Sequence, residues 1–152
     1  MIKLNIALIF FFSFVILAKD RYERSSFGYD PYKLNNKIGF YTEKYCKTNI
    51  DHVVSLKDAF DSGAYKWNIN KKKKFSNDRS NHVSSCYKIN SSKGSTTPKH
   101  FLRRSNDGKG LEYKIISLCK YITIYYNTKL KYNLSFKNND PNLFARCGLK
   151  IN

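Results

Sequence analysis

Acidic side chains are scarce in this chain. Its 152 residues hold 11 Asp plus Glu against 28 Lys plus Arg, a formal net charge of +17. Long apolar runs are scarcer still. A single one exists, which excludes a polytopic membrane protein. No sequence period recurs, so collagen-like, coiled-coil and repeat architectures find no support. No Cys-x-x-Cys pair is present, which weakens a structural zinc site. The length leaves no room for a large multi-domain enzyme. What is present points to a packed core. Hydrophobic residues make up 41% and aromatics 16%, too apolar for a disordered basic tail. No internal linker divides the chain, so one domain is expected.

The positive excess suits a polyanionic partner: nucleic acid, an anionic membrane surface or a cell-wall polymer. It is built from 22 Lys and only 6 Arg. An AT-rich genome produces such a mixture without functional demand, but the shortage of acids still favours a polyanion. The densest patch is Lys71-Lys72-Lys73-Lys74. It suits a phosphate-contacting stripe or a solvated helix face.

Residues 1–18 read MIKLNIALIFFFSFVILA. Lys3 opens them, and Ile6 to Ala18 is apolar except for Ser13. The run is shorter than the ~20 residues of a membrane span and fits the ~7–15 of a signal-peptide core. Ala18 is a small residue before Lys19 and Asp20, as cleavage requires. The expectation is a signal peptide over 1–18 and a secreted or periplasmic domain over 19–152. No stable membrane insertion is expected after cleavage. Four cysteines, Cys46, Cys86, Cys119 and Cys147, would then meet an oxidising compartment and form two disulfides. Three pairings are open at this point.

A coarse pass gives an α+β chain with little strand and a helical C-terminal half. Residues 19–49 are turn-rich, with room for one short strand near Gly39–Tyr41. Ile50 to Val54 suits a buried strand. Ser55 opens a short helix, Leu56 to Asp61, which Gly63 ends. Trp67 to Phe75 reads as a second, basic helix. Asn77 and Asp78 suit a turn, and His82 to Ile89 a strand. Asn90 to Pro98 reads as a polar loop. From Leu111 to Leu130, apolar residues recur at three- and four-residue steps, which predicts an amphipathic helix. Asp140-Pro141 suits the start of a last helix, with Gly148 as its cap. Asp58 and Asp61 read as helix-surface or cap residues, and Trp67 as core.

The block that carries chemistry is Asp51-His52-Val53-Val54, with Asn81 and Asn90 downstream and Lys93-Gly94 behind them. Adjacent residues at a strand end point to opposite sides of the backbone. One can hold a metal while the other faces a substrate. Carboxylate and amide oxygens suit Mg2+ or Mn2+. A neutral amide leaves net charge on that metal to meet a phosphate. His52, near an ordinary pKa of ~6.5, would be a natural base for a water.

The stretches DHVVSLKDAFDSGAYKW, FSNDRSNHV and KINSSKGSTTPKHFL resemble the secreted branch of the HNH endonucleases. The likeness covers roughly residues 38–104 and extends more loosely to the end of the chain. It implies a small ββα-metal (His-Me finger) core gripping one divalent ion, Mg2+ with Mn2+ as the alternative. It implies Asp51 and Asn90 as metal ligands, His52 as general base and Asn81 as the asparagine that pins the loop and orients His52. Lys93 and Lys71 to Lys74 are the candidate phosphate contacts. Ser55 replaces a usual Pro, His82 a usual Leu, and Phe101 and Arg103 a usual Trp and Pro. If residues near 50 and 85 pair as antiparallel strands, Cys46–Cys86 would clamp the hairpin, leaving Cys119–Cys147 for the helical half. The expected function is secreted, metal-dependent cleavage of DNA, and of RNA as a further substrate, with low sequence specificity. The rival from another class is a non-catalytic cationic protein that binds nucleic acid or an anionic surface.

Overall fold

The computed structural model describes residues 21–109 and 111–151. The signal-peptide expectation falls on residues outside these. The fold is mixed α+β: a two-stranded antiparallel sheet with helices on and after it. Strand β1 (Thr48–His52) pairs with β2 (His82–Cys86), from Thr48 opposite Cys86 to His52 opposite His82. Between them lie α1 (Leu56–Asp61) and α2 (Ile69–Ser76); beyond β2 come α3 (Tyr87–Lys93), α4 (Pro98–Arg104), α5 (Leu118–Tyr132) and α6 (Pro141–Ala145). Among the described residues, no helix is long and apolar enough to cross a membrane.

Local chemistry explains the better-defined ends. Ser55 Oγ accepts from Asp58 N at 3.0 Å and caps α1, which gives the serine a use where a proline would offer none. Asn68 Oδ1 caps α2 through Lys71 N at 2.9 Å, so α2 starts at Ile69 rather than at Trp67. Asp140 caps α6, with Pro141 at its first position.

Both disulfides form as the strand pairing suggests, Cys46–Cys86 and Cys119–Cys147. They suit an oxidising compartment. Gly39 lies against the first. A Cβ there would collide with Cys86 Sγ and press within 3.3 Å of Cys46 Sγ. Phe40 N donates to Ser84 O at 2.7 Å, which lays this segment along the outer edge of β2.

The core is aromatic. Tyr41 lies edge-on to Phe101 and Tyr121, at centroid distances of 5.0 and 5.2 Å, and all three are fully buried or nearly so. Such pairs add about 0.5–1.5 kcal/mol each beyond area burial. Phe101 fills the place where the resembled family has Trp.

Four sequence expectations are corrected. Strand β2 ends at Cys86, and residues 90–93 belong to α3, not to a polar loop. Helix α5 begins at Leu118. The preceding residues run non-helically, tied by Ile116 N to Tyr41 O at 2.8 Å and by Ser117 Oγ to Phe40 O at 2.6 Å. Asp58 is not on a surface. It is 6% exposed and accepts from Tyr125 Oη at 2.6 Å and Lys129 Nζ at 3.0 Å.

Candidate active site

Strand alternation separates Asp51 from His52 and gives each a different set of partners. Asp51 is 4% exposed. Its Oδ2 accepts from Tyr41 Oη at 2.5 Å and its Oδ1 from Lys93 Nζ at 2.9 Å. The same ammonium donates to His52 O at 2.8 Å. Burial raises the Asp51 pKa above the ordinary carboxylate value, against the lowering by Lys93 and Tyr41. Tyr41 is held well above its usual value by burial and by the Asp51 charge.

Lys93 is therefore not a phosphate contact. It is fully buried, and its ammonium is committed to the Asp51 carboxylate and the β1 backbone. An ammonium can be held there because α3 packs directly against the hairpin. Its last turn carries Lys93 beneath the strand end.

His52 Nε2 donates to the Ser76 carbonyl at 2.7 Å. His82, its cross-strand partner, donates Nε2 to the same oxygen at 3.0 Å and accepts at Nδ1 from Tyr32 Oη at 3.0 Å. A carbonyl can only accept, so both rings carry their proton on Nε2. His52 Nδ1 keeps its lone pair. The His52 ring stands edge-on to Tyr29 at 4.7 Å and to His82 at 4.4 Å. The expectation of an ordinary histidine pKa is overturned. Burial draws the His52 value down to about 3, against the raising effect of the Ser76 carbonyl and with help from His82 and Lys93. The ring is neutral at neutral and mildly acid pH.

Asn81 is fully buried and closes the loop behind His52. Its Oδ1 accepts from Val54 N at 2.8 Å, its Nδ2 donates to Val54 O at 3.0 Å, and its own carbonyl accepts from Val53 N at 2.8 Å. Three bonds thus fix the two residues that follow His52. Asn90 lies on α3, where Nδ2 donates to Asn49 Oδ1 at 3.0 Å and Ile50 O at 3.2 Å. The amide oxygen is left for another partner.

Asp51, His52 and Asn90 line one cavity of about 500 Å³, with Arg24, Lys57 and Gly94 on its walls. Lys71 to Lys74 do not line it. Lys73 and Lys74 flank a separate depression with Tyr32, Asn77 and Arg79. Lys71 Nζ sits 4.6 Å from the Trp67 ring. Sequence reasoning missed Tyr41, Arg24, Lys57 and the Ser76 carbonyl. Of these, only Tyr41 carried a signal, in the short strand expected near Gly39–Tyr41.

Among the described residues, no three His, Cys, Asp or Glu side chains form a group that could hold a metal ion. A hard divalent cation needs less than that, because Mg2+ uses one or two protein oxygens plus water and phosphate. Asn90 Oδ1 and the Asp51 carboxylate are oxygen donors that border one cavity, and both Asp51 oxygens already accept from Tyr41 and Lys93.

No protein-family model, curated protein or solved structure matches the chain.

Proposed function

We propose that the chain is a secreted, metal-dependent endonuclease of HNH type. It would hydrolyse phosphodiester bonds of DNA, and of RNA as a second substrate, with low sequence specificity. The observation that carries this is the convergence of Asp51, His52 and Asn90 on one basic-walled cavity, with His52 Nδ1 carrying a lone pair. The antiparallel β1–β2 pair with α3 packed on it supports a ββα-metal core.

Asp51 and Asn90 would hold one Mg2+ or Mn2+, which when bound supplies stabilisation of the charge on the phosphate and the leaving oxygen. His52 Nδ1 takes a proton from the attacking water. The water oxygen forms the new P–O bond as the ester P–O bond breaks. Nε2–H remains on the Ser76 carbonyl, so the ring does not turn when it becomes an imidazolium. Asn81 holds the backbone that carries His52. Arg24 and Lys57 line the wall where a phosphate enters. Phosphate contacts of this kind carry no base information, hence the low sequence preference.

A second function, charge-driven binding without catalysis, has two observations in its favour. Burial draws the His52 pKa down to about 3, which makes it a weak base for a water. Both Asp51 oxygens already accept hydrogen bonds, from Tyr41 and Lys93. Plasmid incubation with Mg2+, with Mn2+ and with EDTA, beside His52→Ala, separates the two. Metal-dependent nicking that EDTA and His52→Ala both abolish is expected. Tight binding with no cleavage of plasmid or of single-stranded DNA under either metal would sink the nuclease and leave the binding protein.

A further inference from the structure

A second concavity lies at the other end of the hairpin, with a volume of about 490 Å³. Its floor is the Cys46–Cys86 disulfide, and its lining is largely apolar, including Ile89 and Leu111. Two aromatic rings stand at it far more exposed than a core requires: Tyr45 at 75% and Tyr87 at 58%. Lys44, Lys47 and Lys88 rim it and are all exposed. Lys37 Nζ lies 5.9 Å from the Tyr45 ring. The acids on its wall reduce to Glu112.

Neither rings nor lysines serve the fold here. The rings leave most of their surface in water, and Lys44, Lys47 and Lys88 have no carboxylate partner among the described residues. Exposed flat rings interleaved with cations match one polyanion in particular. Unpaired bases stack on aromatic faces while their phosphates meet lysines. A duplex hides its base faces and could use only the lysines.

The groove also points toward the cavity described above. Helix α3 borders both: Tyr87, Lys88 and Ile89 line the groove, and Asn90, one residue on, lines the cavity. Lys47 immediately precedes β1 and stands four residues before Asp51, about 13 Å of extended chain. A single strand lying along α3 would reach from one to the other within a few nucleotides.

We propose that this groove is a stacking platform for single-stranded nucleic acid, seating unpaired bases on Tyr45 and Tyr87 next to the site of cleavage. It deepens the nuclease function by naming the substrate form: single strands, or duplex ends that splay. That function is its premise, so the test must read the two apart.

Binding is measured by fluorescence anisotropy in EDTA, where turnover plays no part. The probes are a labelled oligo(dT), an abasic strand of the same length and a closed hairpin duplex. Tyr45→Ala and Tyr87→Ala should each weaken oligo(dT) binding by about 5- to 150-fold, the range for one lost stack. Abasic and duplex binding should move less than about twofold, because the phosphate contacts remain. Tyr87→Phe should bind as the parent does. Lys88→Ala should instead weaken all three probes and lower the salt slope by about one. Both tyrosines are exposed, so thermal melting should show intact folding.

Oligo(dT) binding that ignores both ring deletions, or an abasic strand that binds as tightly as oligo(dT), would overturn the platform. So would a dimer that Tyr87→Ala dissociates while oligonucleotide affinity stays unchanged, since the groove would then hold a second copy. Ring-dependent binding with no metal-dependent cleavage of the oligo(dT) strand would sink the nuclease and leave the platform standing. Cleavage of that strand with ring-independent binding would do the reverse.

Discussion

Replacing Lys93 by methionine keeps a long apolar stem and deletes only the ammonium. The parent ammonium is fully buried and makes two hydrogen bonds, to Asp51 Oδ1 at 2.9 Å and to His52 O at 2.8 Å. In the variant, Asp51 stays 4% exposed in its pocket with only the Tyr41 hydroxyl to answer its charge. Removing one partner of a buried pair costs about 3–5 kcal/mol. That is a large share of the ~5–15 kcal/mol that holds an ordinary domain. Asp51→Asn in the same chain removes the stranded charge and keeps an oxygen for Tyr41, so the double variant should recover part of the loss. The pH dependence has a definite sign. The folded pKa of Asp51 is raised, so its contribution is fully present below the unfolded value of ~3.9 and is lost as pH rises through the folded value. Without Lys93 the folded value rises further. The deficit of Lys93→Met should therefore be largest near neutrality and shrink in acid. Guanidinium unfolding with both disulfides intact, across that pH range, reads all three quantities. A loss within ~1 kcal/mol, the size of a surface pair, unaffected by pH and by Asp51→Asn, would refute a desolvated ion pair at this strand end.

His52 should make stability fall in mild acid. Its folded pKa is about 3, below the unfolded ~6.5, so stability is full above the unfolded value and is lost as pH drops toward the folded one. The full effect is about 4–5 kcal/mol, and His52→Gln should flatten that part of the stability–pH curve. Lys129→Met should destabilise about as much as Lys93→Met, ~3–5 kcal/mol, while leaving plasmid nicking by the remaining folded protein unchanged. Gly39→Ala should cost about 1–3 kcal/mol through overpacking against Cys86 Sγ. Guanidinium melts should show that cost falling when Cys46 and Cys86 are both alanine; an equal cost in the two backgrounds would mean that the disulfide is not what Gly39 makes room for.

Local signals were legible wherever local chemistry decides structure. The Ser55 cap, the Leu56–Asp61 helix and the Asp140-Pro141 start all follow from neighbouring residues. The strand pair was an expectation from the HNH resemblance; given that pair, Cys46 five residues before Asp51 and Cys86 five after Asn81 could bridge, leaving Cys119 for Cys147. Helix α3 was hidden because Asn90, Ser91 and Ser92 are weak helix formers and good turn residues. Its hold comes from elsewhere, through Asn90 on the β1 backbone and Lys93 on Asp51. Helix α4 was not expected, although Thr97-Pro98 ahead of a helical first turn is a start signal. In α5 the apolar count placed Ile122 correctly in the core, with Leu118 and Tyr126 packed against it, but missed the rest of the buried face. Leu130 is 55% exposed, while Tyr121, Tyr125, Lys129 and Tyr132 are buried. A hydrophobicity rule places a lysine outside, and it cannot foresee a carboxylate waiting for it.

That error recurs at the site, and the two cases share one chemistry. Asp51 takes Tyr41 on Oδ2 and Lys93 on Oδ1; Asp58 takes Tyr125 on Oδ2 and Lys129 on Oδ1. Tyr121 lies between the two tyrosines, 5.2 Å from Tyr41 and 6.3 Å from Tyr125 by ring centroids. A core this rich in tyrosine supplies hydroxyl donors where an aliphatic core supplies none. Each buried acid can then be satisfied from inside the fold. The two triads differ only in surroundings. Asp58 also accepts from Ser62 Oγ at 3.0 Å, and Lys129 donates to Ser62 Oγ at 2.6 Å and Ser135 O at 2.9 Å, so that pair is closed on every side. Asp51 has no such hydroxyl and borders the cavity that His52 and Asn90 share. The same motif therefore serves structure in one place and, in the other, holds a carboxylate rigid at the edge of the cavity. Rigid placement of a carboxylate is what the proposed metal site, with so few oxygen donors, would need.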